Sequence, residues 1–209
     1  MPDNLAARWA APLVGVVLIA AAASNAAAQS TGSPVFSSPY RDFQMSEWAI
    51  SLSDPGPGYD LEGSYRFAFT SAGSTDLGIR AGVHGGLGAG HDALLLGTDL
   101  RARVLTHTES FPLDGSFTIG LGMESHNHVT VGYVPIGFTM GRRVLVEGSS
   151  ISLVPYVQPV VMPLLGDASG TDVSIGFGLN ARMSPRLDLR FSAAAGDING
   201  VGFTVAFLH

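Results

Sequence analysis

The sequence predicts an all-β fold, an antiparallel transmembrane β-barrel of ten strands, with eight strands as the alternative. Two observations carry this prediction. Apolar and polar residues alternate with a period of two along most of the chain, which is the side-chain period of a β-strand. In addition, only 13% of the 209 residues are charged whereas 46% are hydrophobic, so part of the surface is expected to face something other than water.

The composition also excludes several classes of function. The net charge is −6, while a nucleic-acid-binding protein needs a basic patch, so no nucleic-acid partner is expected. The chain contains no cysteine, which rules out a disulfide framework, a thiolate metal site and a cysteine nucleophile. We expect no cofactor.

Residues 1–28 have the layout of a secretory signal peptide. Arg8 precedes an apolar run at residues 9–23, and small residues follow up to Ala28, after which cleavage is expected. The alternative is a membrane anchor, but a spanning helix needs about 20 apolar residues. Residues 29–45 then form a short lead-in, and residues 46–209 form the barrel.

The barrel strands are segments of alternating residues that clusters of turn-forming residues separate. In residues 59–70, for example, Tyr59 and Tyr65 alternate with Glu62 and Arg66. An even number of strands returns the chain to the side on which it began, and every connection is short. The ten predicted strands are residues 47–53, 59–70, 76–88, 93–104, 116–124, 129–143, 151–162, 172–183, 187–195 and 200–208.

Three of these segments are less regular than the others. If residues 47–53 are not a strand and two weak segments merge, the count falls to eight. In residues 129–143 the alternation changes phase near Tyr133, which suggests a β-bulge. Residues 151–162 contain Pro155 and Pro159, with Pro163 just beyond, and proline cannot donate to a ladder, so this strand is expected to be irregular or misplaced.

The polar face of the strands is expected to line the lumen and the apolar face to meet lipid. The polar face is rich in glycine and carries few charges, of both signs, which suits a narrow interior where side chains must neutralise one another. These charges are interpreted as a network that seals the lumen, with a selective pore lining as the alternative. The expected lumen charges are Asp60, Glu62, Arg66, Arg80, Asp99, Arg101, Arg103, Glu124, Arg182, Asp188 and Arg190.

The chain resembles small outer-membrane β-barrels of the OmpA/OmpX type. The resemblance covers residues 47–208 as a pattern, and it includes the short turn at residues 184–186 and the glycine and alternating aromatics of residues 200–207. It implies a place in the outer membrane of a Gram-negative-type cell, contact with its lipids, and recognition of residues 200–207 by the barrel-assembly machinery. Such chains usually end on the aromatic residue, whereas this one continues with Leu208 and His209.

The stretch at residues 124–128 has the most chemical appearance in the sequence. Glu124, Ser125 and His126 are the residue types of a hydrolase triad, and His126, His128 and perhaps His91 could bind a metal, but a solvated loop is the favoured interpretation. We therefore expect a non-enzymatic barrel that is structural or a narrow passive pore. The alternatives are a secreted soluble barrel that binds a small apolar ligand and, less favoured, an outer-membrane lipid hydrolase.

Overall fold

The computed structural model describes residues 31–40, 43, 45–56, 58–68, 74–85 and 92–209. The predicted signal peptide lies outside these residues, as do the last residues of two predicted strands, 69–70 and 86–88. Within the described part of the chain, no helix is long and apolar enough to cross a membrane.

The described residues form a closed antiparallel barrel of ten strands, which confirms the predicted fold class and the larger of the two strand counts. Twelve segments build it, because the strand predicted at residues 129–143 extends to Leu145 and is divided into three pieces that follow one another along one edge of β9. The segments are β1 (Glu47–Asp54), β2 (Tyr59–Ala68), β3 (Thr75–Gly85), β4 (Ala93–Leu105), β5 (Asp114–His126), β6 (Val129–Tyr133), β7 (Ile136–Gly141), β8 (Val144–Leu145), β9 (Ser152–Gly166), β10 (Gly170–Ser184), β11 (Leu187–Gly196) and β12 (Gly200–Leu208).

The first and last strands pair along their full length and close the barrel. Glu47 lies opposite Leu208 at one end of this pair, and Asp54 lies opposite Val201 at the other. Beyond the strands, Ser46 and His209 exchange two backbone hydrogen bonds of 3.0 and 3.1 Å. Closure leaves neither β1 nor β12 with an unpaired edge, which is the condition for a sheet to exist in a bilayer.

The apolar face of the strands points outward and the polar face points into the lumen. On β1, for example, Trp48 and Ile50 are 59% and 62% exposed, whereas Glu47, Ser51 and Ser53 are buried. This is the arrangement predicted for a membrane barrel, and it is the reverse of a soluble barrel, whose apolar side chains fill the interior.

The expected bulge near Tyr133 is absent from the described structure, and that prediction was wrong. Tyr133 pairs with Gly122, and Ile136 pairs with Ile119, so two residues on each strand lie between the two pairs and none is inserted. The sequence changes phase there because Tyr133 faces an apolar part of the lumen, where Val131 also packs. True irregularities occur instead between Arg103 and Leu105 and near the end of β10.

The proline-containing strand is neither misplaced nor broken. β9 is continuous over 15 residues and pairs with β10 at 13 consecutive positions. Pro155, Pro159 and Pro163 alternate with buried Tyr156 and Gln158, so their rings lie on the outer face. The irregularity falls on the neighbouring strand, which is the one divided into β6, β7 and β8.

Candidate functional site

The lumen of the barrel is occupied by residues 31–40 and 43, which we call the lumen segment. Thr31, Ser33, Phe36 and Phe43 on this segment are at most 1% exposed. From the sequence, these residues were predicted only to belong to a short lead-in at residues 29–45. Only the Ser- and Pro-rich composition, which does not predict a strand or a helix, distinguished them from the barrel.

At one mouth the lumen segment is held by carboxylates of β2. The Thr31 hydroxyl donates to Glu62 Oε1 at 2.5 Å, and the Ser33 hydroxyl donates to Asp60 Oδ2 at 2.7 Å. The other oxygen of Asp60 lies 2.7 Å from His84 Nδ1. Because these carboxylates are buried, the hydroxyl donors replace hydration that they lose in the lumen.

In the middle of the barrel the lumen segment contacts several strands through its backbone. The Ser192 hydroxyl on β11 donates to the carbonyl of Pro34 at 2.7 Å. Arg101 on β4 donates to the carbonyl of Ser38 at 3.0 Å, and Asn180 Nδ2 on β10 donates to the Ser38 hydroxyl at 3.0 Å. The segment is therefore tied to three strands around the lumen.

At the other mouth the lumen segment ends among arginines. The guanidinium groups of Arg101 and Arg103 each lie 4.9 Å from the centre of the Phe43 ring, within the range of a cation–π interaction. Arg143 lies 4.8 Å from the Tyr40 ring centre and donates to the Tyr40 hydroxyl at 2.6 Å. The chain then enters β1, so the segment runs from one mouth to the other.

One half of the lumen wall carries a network of buried ion pairs on β1 to β4 and β11. Arg66 contacts both Asp76 and Asp99 at 2.6 Å, and Arg101 contacts the second oxygen of Asp76 at 3.0 Å. Arg80 contacts Glu62 at 3.1 Å. Each of these carboxylates has an arginine partner in the low-dielectric lumen, as the burial of charge requires.

A second group of ion pairs joins β10, β11 and β1. Arg190 on β11 pairs with both oxygens of Glu47 and also reaches Asp188 at 3.3 Å. Arg182 on β10 contacts Asp188 at 2.9 Å. The network thereby crosses the β1–β12 closure.

The structure brings most of the sequence-predicted lumen charges into this network, but three of them have other contacts, Asp60 with Ser33 and His84 as described above. Glu124 accepts a hydrogen bond from the Tyr133 hydroxyl at 2.8 Å, and Arg103 lies against Phe43 and Tyr40. Sequence reasoning missed Glu47 and Asp76, although both occupy polar positions of the alternation at strand starts. Both are nearly fully buried; Asp76 forms an ion pair with Arg66, and Glu47 forms one with Arg190.

The rest of the wall, on β5 to β10, carries fewer charges, among them Glu124 on β5 and Arg182 on β10. Its other lumen positions are mostly small, apolar or uncharged polar residues such as Gln158, and near one mouth they surround a buried cluster. Ile198 closes this mouth, because the β11–β12 turn folds inward and its backbone N–H donates to the Ser174 hydroxyl at 2.7 Å. The cluster consists of Phe36, Tyr133, Tyr156, Val160, Met162, Ala194 and Ile198.

The stretch at residues 124–128 forms the end of a β-hairpin. Asn127 and His128 have φ values of 44° and 72°, as a two-residue type I′ turn requires. His126 Nδ1 contacts the Asp92 carbonyl oxygen at 2.7 Å, whereas Ser125 contacts Thr130 at 3.2 Å. The structure therefore does not bring Ser125, His126 and Glu124 together as a triad.

The metal-site alternative gains no geometric support in the part of the chain that the structure describes. Within those residues, no group of three His, Asp or Glu side chains is close enough to hold a metal ion. His91, the third expected ligand, lies outside the described residues.

Comparisons with known proteins find similarity at the level of the barrel. No family model matches the chain, and no curated protein matches it. Similar solved structures include a de novo designed transmembrane β-barrel, at 12% identity and a TM-score of 0.36, covering 79% of this chain and 96% of the other. The β domain of the Bordetella autotransporter BrkA is 15% identical, with a TM-score of 0.47 and coverages of 79% and 98%. The Acinetobacter baumannii outer membrane protein Omp33 is 11% identical, with a TM-score of 0.37 and coverages of 81% and 100%.

Proposed function

We propose that this protein is an integral outer-membrane β-barrel whose lumen is closed by the lumen segment, residues 31–40 and 43, and that its role is structural and non-enzymatic. The observation that carries the proposal is the lumen segment, which runs from mouth to mouth and contacts the wall at every level. A charged network on one half of the wall and an apolar cluster on the other fill the space beside it. On this proposal, the segment, the charged network and the apolar cluster together close the continuous water-filled path that a pore needs.

The apolar outer surface supports a place in a membrane. Exposed apolar side chains occur on nearly every strand, and among them Leu121 and Phe191 are 59% and 60% exposed. A continuous surface of this kind would be costly in water, whereas a barrel in lipid requires it. Trp48 and Tyr65 are neighbours on this surface, with ring centres 4.4 Å apart, near the rim where aromatic residues favour the membrane interface.

Export and assembly form part of the same proposal. Residues 1–28 would direct export and be removed after Ala28, and residues 200–207 would be recognised by the barrel-assembly machinery. Phe203 and Phe207 on this strand alternate with buried Thr204 and Ala206. Their side chains therefore lie on the lipid-facing surface, which is accessible before insertion.

Planar-bilayer conductance tests whether the lumen is closed. The mature full-length protein is expected to give no stable channels, whereas a variant that lacks residues 31–43 is expected to give channels of uniform size. Stable channels from the unaltered protein would favour the passive-pore alternative and contradict the proposal. Because the deletion could prevent folding, a second measurement places the segment in the folded protein directly.

The second measurement uses the absence of native cysteine. A single Ser33→Cys substitution places a thiol at a buried position of the lumen segment, and Ser149→Cys places one in an exposed loop as the matched control. A membrane-impermeant maleimide is expected to label residue 149 rapidly and residue 33 slowly. Equal labelling of the two would show that the segment does not occupy the lumen.

The two alternatives are separated by other measurements. A soluble ligand-binding barrel would be recovered from the periplasm without detergent, and that result would end the membrane proposal. A lipid hydrolase would release fatty acid from outer-membrane lipids and lose this activity on His126→Ala. We expect membrane recovery and no release.

A further inference from the structure

We infer that the barrel wall parts first along one seam, between the divided strand β6–β7 and β9. The inference goes beyond the closed lumen proposed above, because it concerns where the wall itself opens sideways. It rests on the positions of three prolines in β9. Residues 129–166, which include both sides of this seam, are all described by the structure.

The three prolines face the same neighbouring strand. In an antiparallel sheet, alternate residues direct their N–H and C=O groups to the same side, so residues four apart in β9 share a side. The carbonyl of Pro155 accepts from the Arg142 N–H at 3.3 Å, and the carbonyl of Pro163 accepts from the Val134 N–H at 3.1 Å. Pro155, Pro159 and Pro163 therefore all face the β6–β7 side.

The register identifies which hydrogen bonds are lost. Ile136 pairs with Val161, and Met140 pairs with Val157. In the same register, Val134 lies opposite Pro163, Phe138 lies opposite Pro159, and Arg142 lies opposite Pro155. Each of those three carbonyls therefore faces a nitrogen that has no hydrogen to donate. In an antiparallel ladder, every second pair of opposed residues exchanges two backbone hydrogen bonds. Along this seam, every second pair of that kind contains a proline of β9 and can form only one of the two hydrogen bonds.

The other side of β9 shows that the loss is confined to one edge. Thirteen consecutive residues of β9 pair with β10, without a register shift. Pairing between β7 and β9 comprises four positions and is interrupted opposite Gln158 and Pro159. In lipid, a carbonyl without a protein donor has no water to hydrogen-bond with. The seam therefore has fewer hydrogen bonds than the β9–β10 pairing, and its unpaired carbonyls also carry a desolvation cost.

The position of the seam limits what its opening would disturb. The lumen side of β9 carries apolar residues such as Tyr156, Val160 and Met162. The ion pairs described above join β2 to β3, β2 and β3 to β4, β1 to β11, and β10 to β11, so none of them crosses the seam between β6–β7 and β9. Parting the seam thus exposes uncharged wall and leaves the buried ion pairs intact.

Hydrogen exchange on the mature full-length protein in lipid nanodiscs tests the inference. Amides of β7 are expected to exchange faster than those of β10, β11 and β12. Restoring one donor with Pro159→Val, which keeps an apolar side chain on the outer face, is expected to slow exchange across β7 about five-fold. Ile175→Val on β10 is the matched control, since it changes an outward apolar side chain but no backbone donor, and it is expected to leave β7 unchanged.

A crosslink provides a measurement that does not depend on the proline variant folding. Met140→Cys with Val157→Cys joins register partners across the seam, and Leu52→Cys with Leu61→Cys joins partners across the β1–β2 pair. Both pairs lie within reach of a disulfide. Oxidation of the seam pair is expected to slow unfolding more than oxidation of the control pair. Equal slowing, or β7 amides as protected as those of β10, would overturn the inference.

Discussion

The ring of Phe36 occupies the space in which a side chain on Gly176 would lie. A Cβ atom built on Gly176 would fall 2.7 to 2.8 Å from three carbons of that ring, closer than side chains approach one another. Gly176 lies on the lumen face of β10, and Phe36 belongs to the apolar cluster that packs there. The lumen wall and the lumen segment are therefore complementary in shape at this position.

Gly176→Val is expected to displace Phe36 from the cluster. The overlap forces the ring away and leaves a gap beside the apolar lumen surface. We therefore expect the free energy of unfolding to fall by about 1 to 3 kcal/mol, which is the usual cost of over-packing a core. Urea unfolding in detergent measures this change. Gly63→Ala is the matched control, because nothing lies within 4 Å of a Cβ at that outward position. Equal effects of the two substitutions would show that Phe36 does not pack against β10.

Arg66→Gln is expected to destabilise the barrel more strongly. Arg66 is the arginine that contacts both Asp76 and Asp99 at 2.6 Å, and its removal leaves buried carboxylates short of a partner. Breaking a buried pair in this way costs about 3 to 5 kcal/mol. The measurement is the urea midpoint or the temperature of the heat-dependent gel shift. Arg186→Gln, in the exposed β10–β11 turn, should change neither.

His128→Gly is expected to stabilise the β5–β6 hairpin. His128 has a φ of 72°, which glycine adopts without the steric cost that other residues incur. Asn followed by Gly is also the preferred pair for a type I′ turn, so we expect a gain of up to about 1 kcal/mol in the free energy of unfolding. Glu109→Gly, in an exposed loop and outside the positive-φ residues, should give no gain. Destabilisation by His128→Gly would indicate a role for the imidazole itself.

Zinc is expected not to bind the hairpin at residues 124–128. His126 Nδ1 already contacts the Asp92 carbonyl oxygen, and its Nε2 lies 2.8 Å from the Asn127 side chain. Isothermal titration with zinc should therefore give the same weak heat for the unaltered protein and for a variant with His126→Ala and His128→Ala. Micromolar binding that the double substitution abolishes would establish a metal site.

The strands were predictable because alternation is a local property. Residues two apart along a strand share a face whatever the rest of the chain does, so the strands and the two faces of each could be predicted, with ten strands favoured over eight. The outward direction of the apolar face was inferred from the glycine-rich, sparsely charged polar face. The same rule failed near Tyr133, where an apolar residue faces the lumen because an apolar cluster lies inside. Periodicity reports which residues share a face, and the environment of that face depends on the assembled barrel.

The charge network was predictable as a set of residues but not as pairs. Alternation placed Arg66 and Asp99 on the polar face, yet they lie on β2 and β4, with β3 between them. Their contact depends on strand register and on the inward reach of an arginine side chain. Glu47 and Asp76 were missed although the alternation of the residues that follow each of them places both on the polar face.

The sequence by itself predicted a β-barrel of ten strands, with eight as the alternative, and an apolar outer face. Only the tertiary structure decided that the count is ten and that residues 31–40 and 43 occupy the lumen. The physical reason is the range of the interactions: Ser33 contacts Asp60 across 27 residues, and Pro34 accepts from Ser192 across 158. No short-range pattern encodes such contacts, because a segment without periodicity acquires its position from the walls that the rest of the chain builds around it.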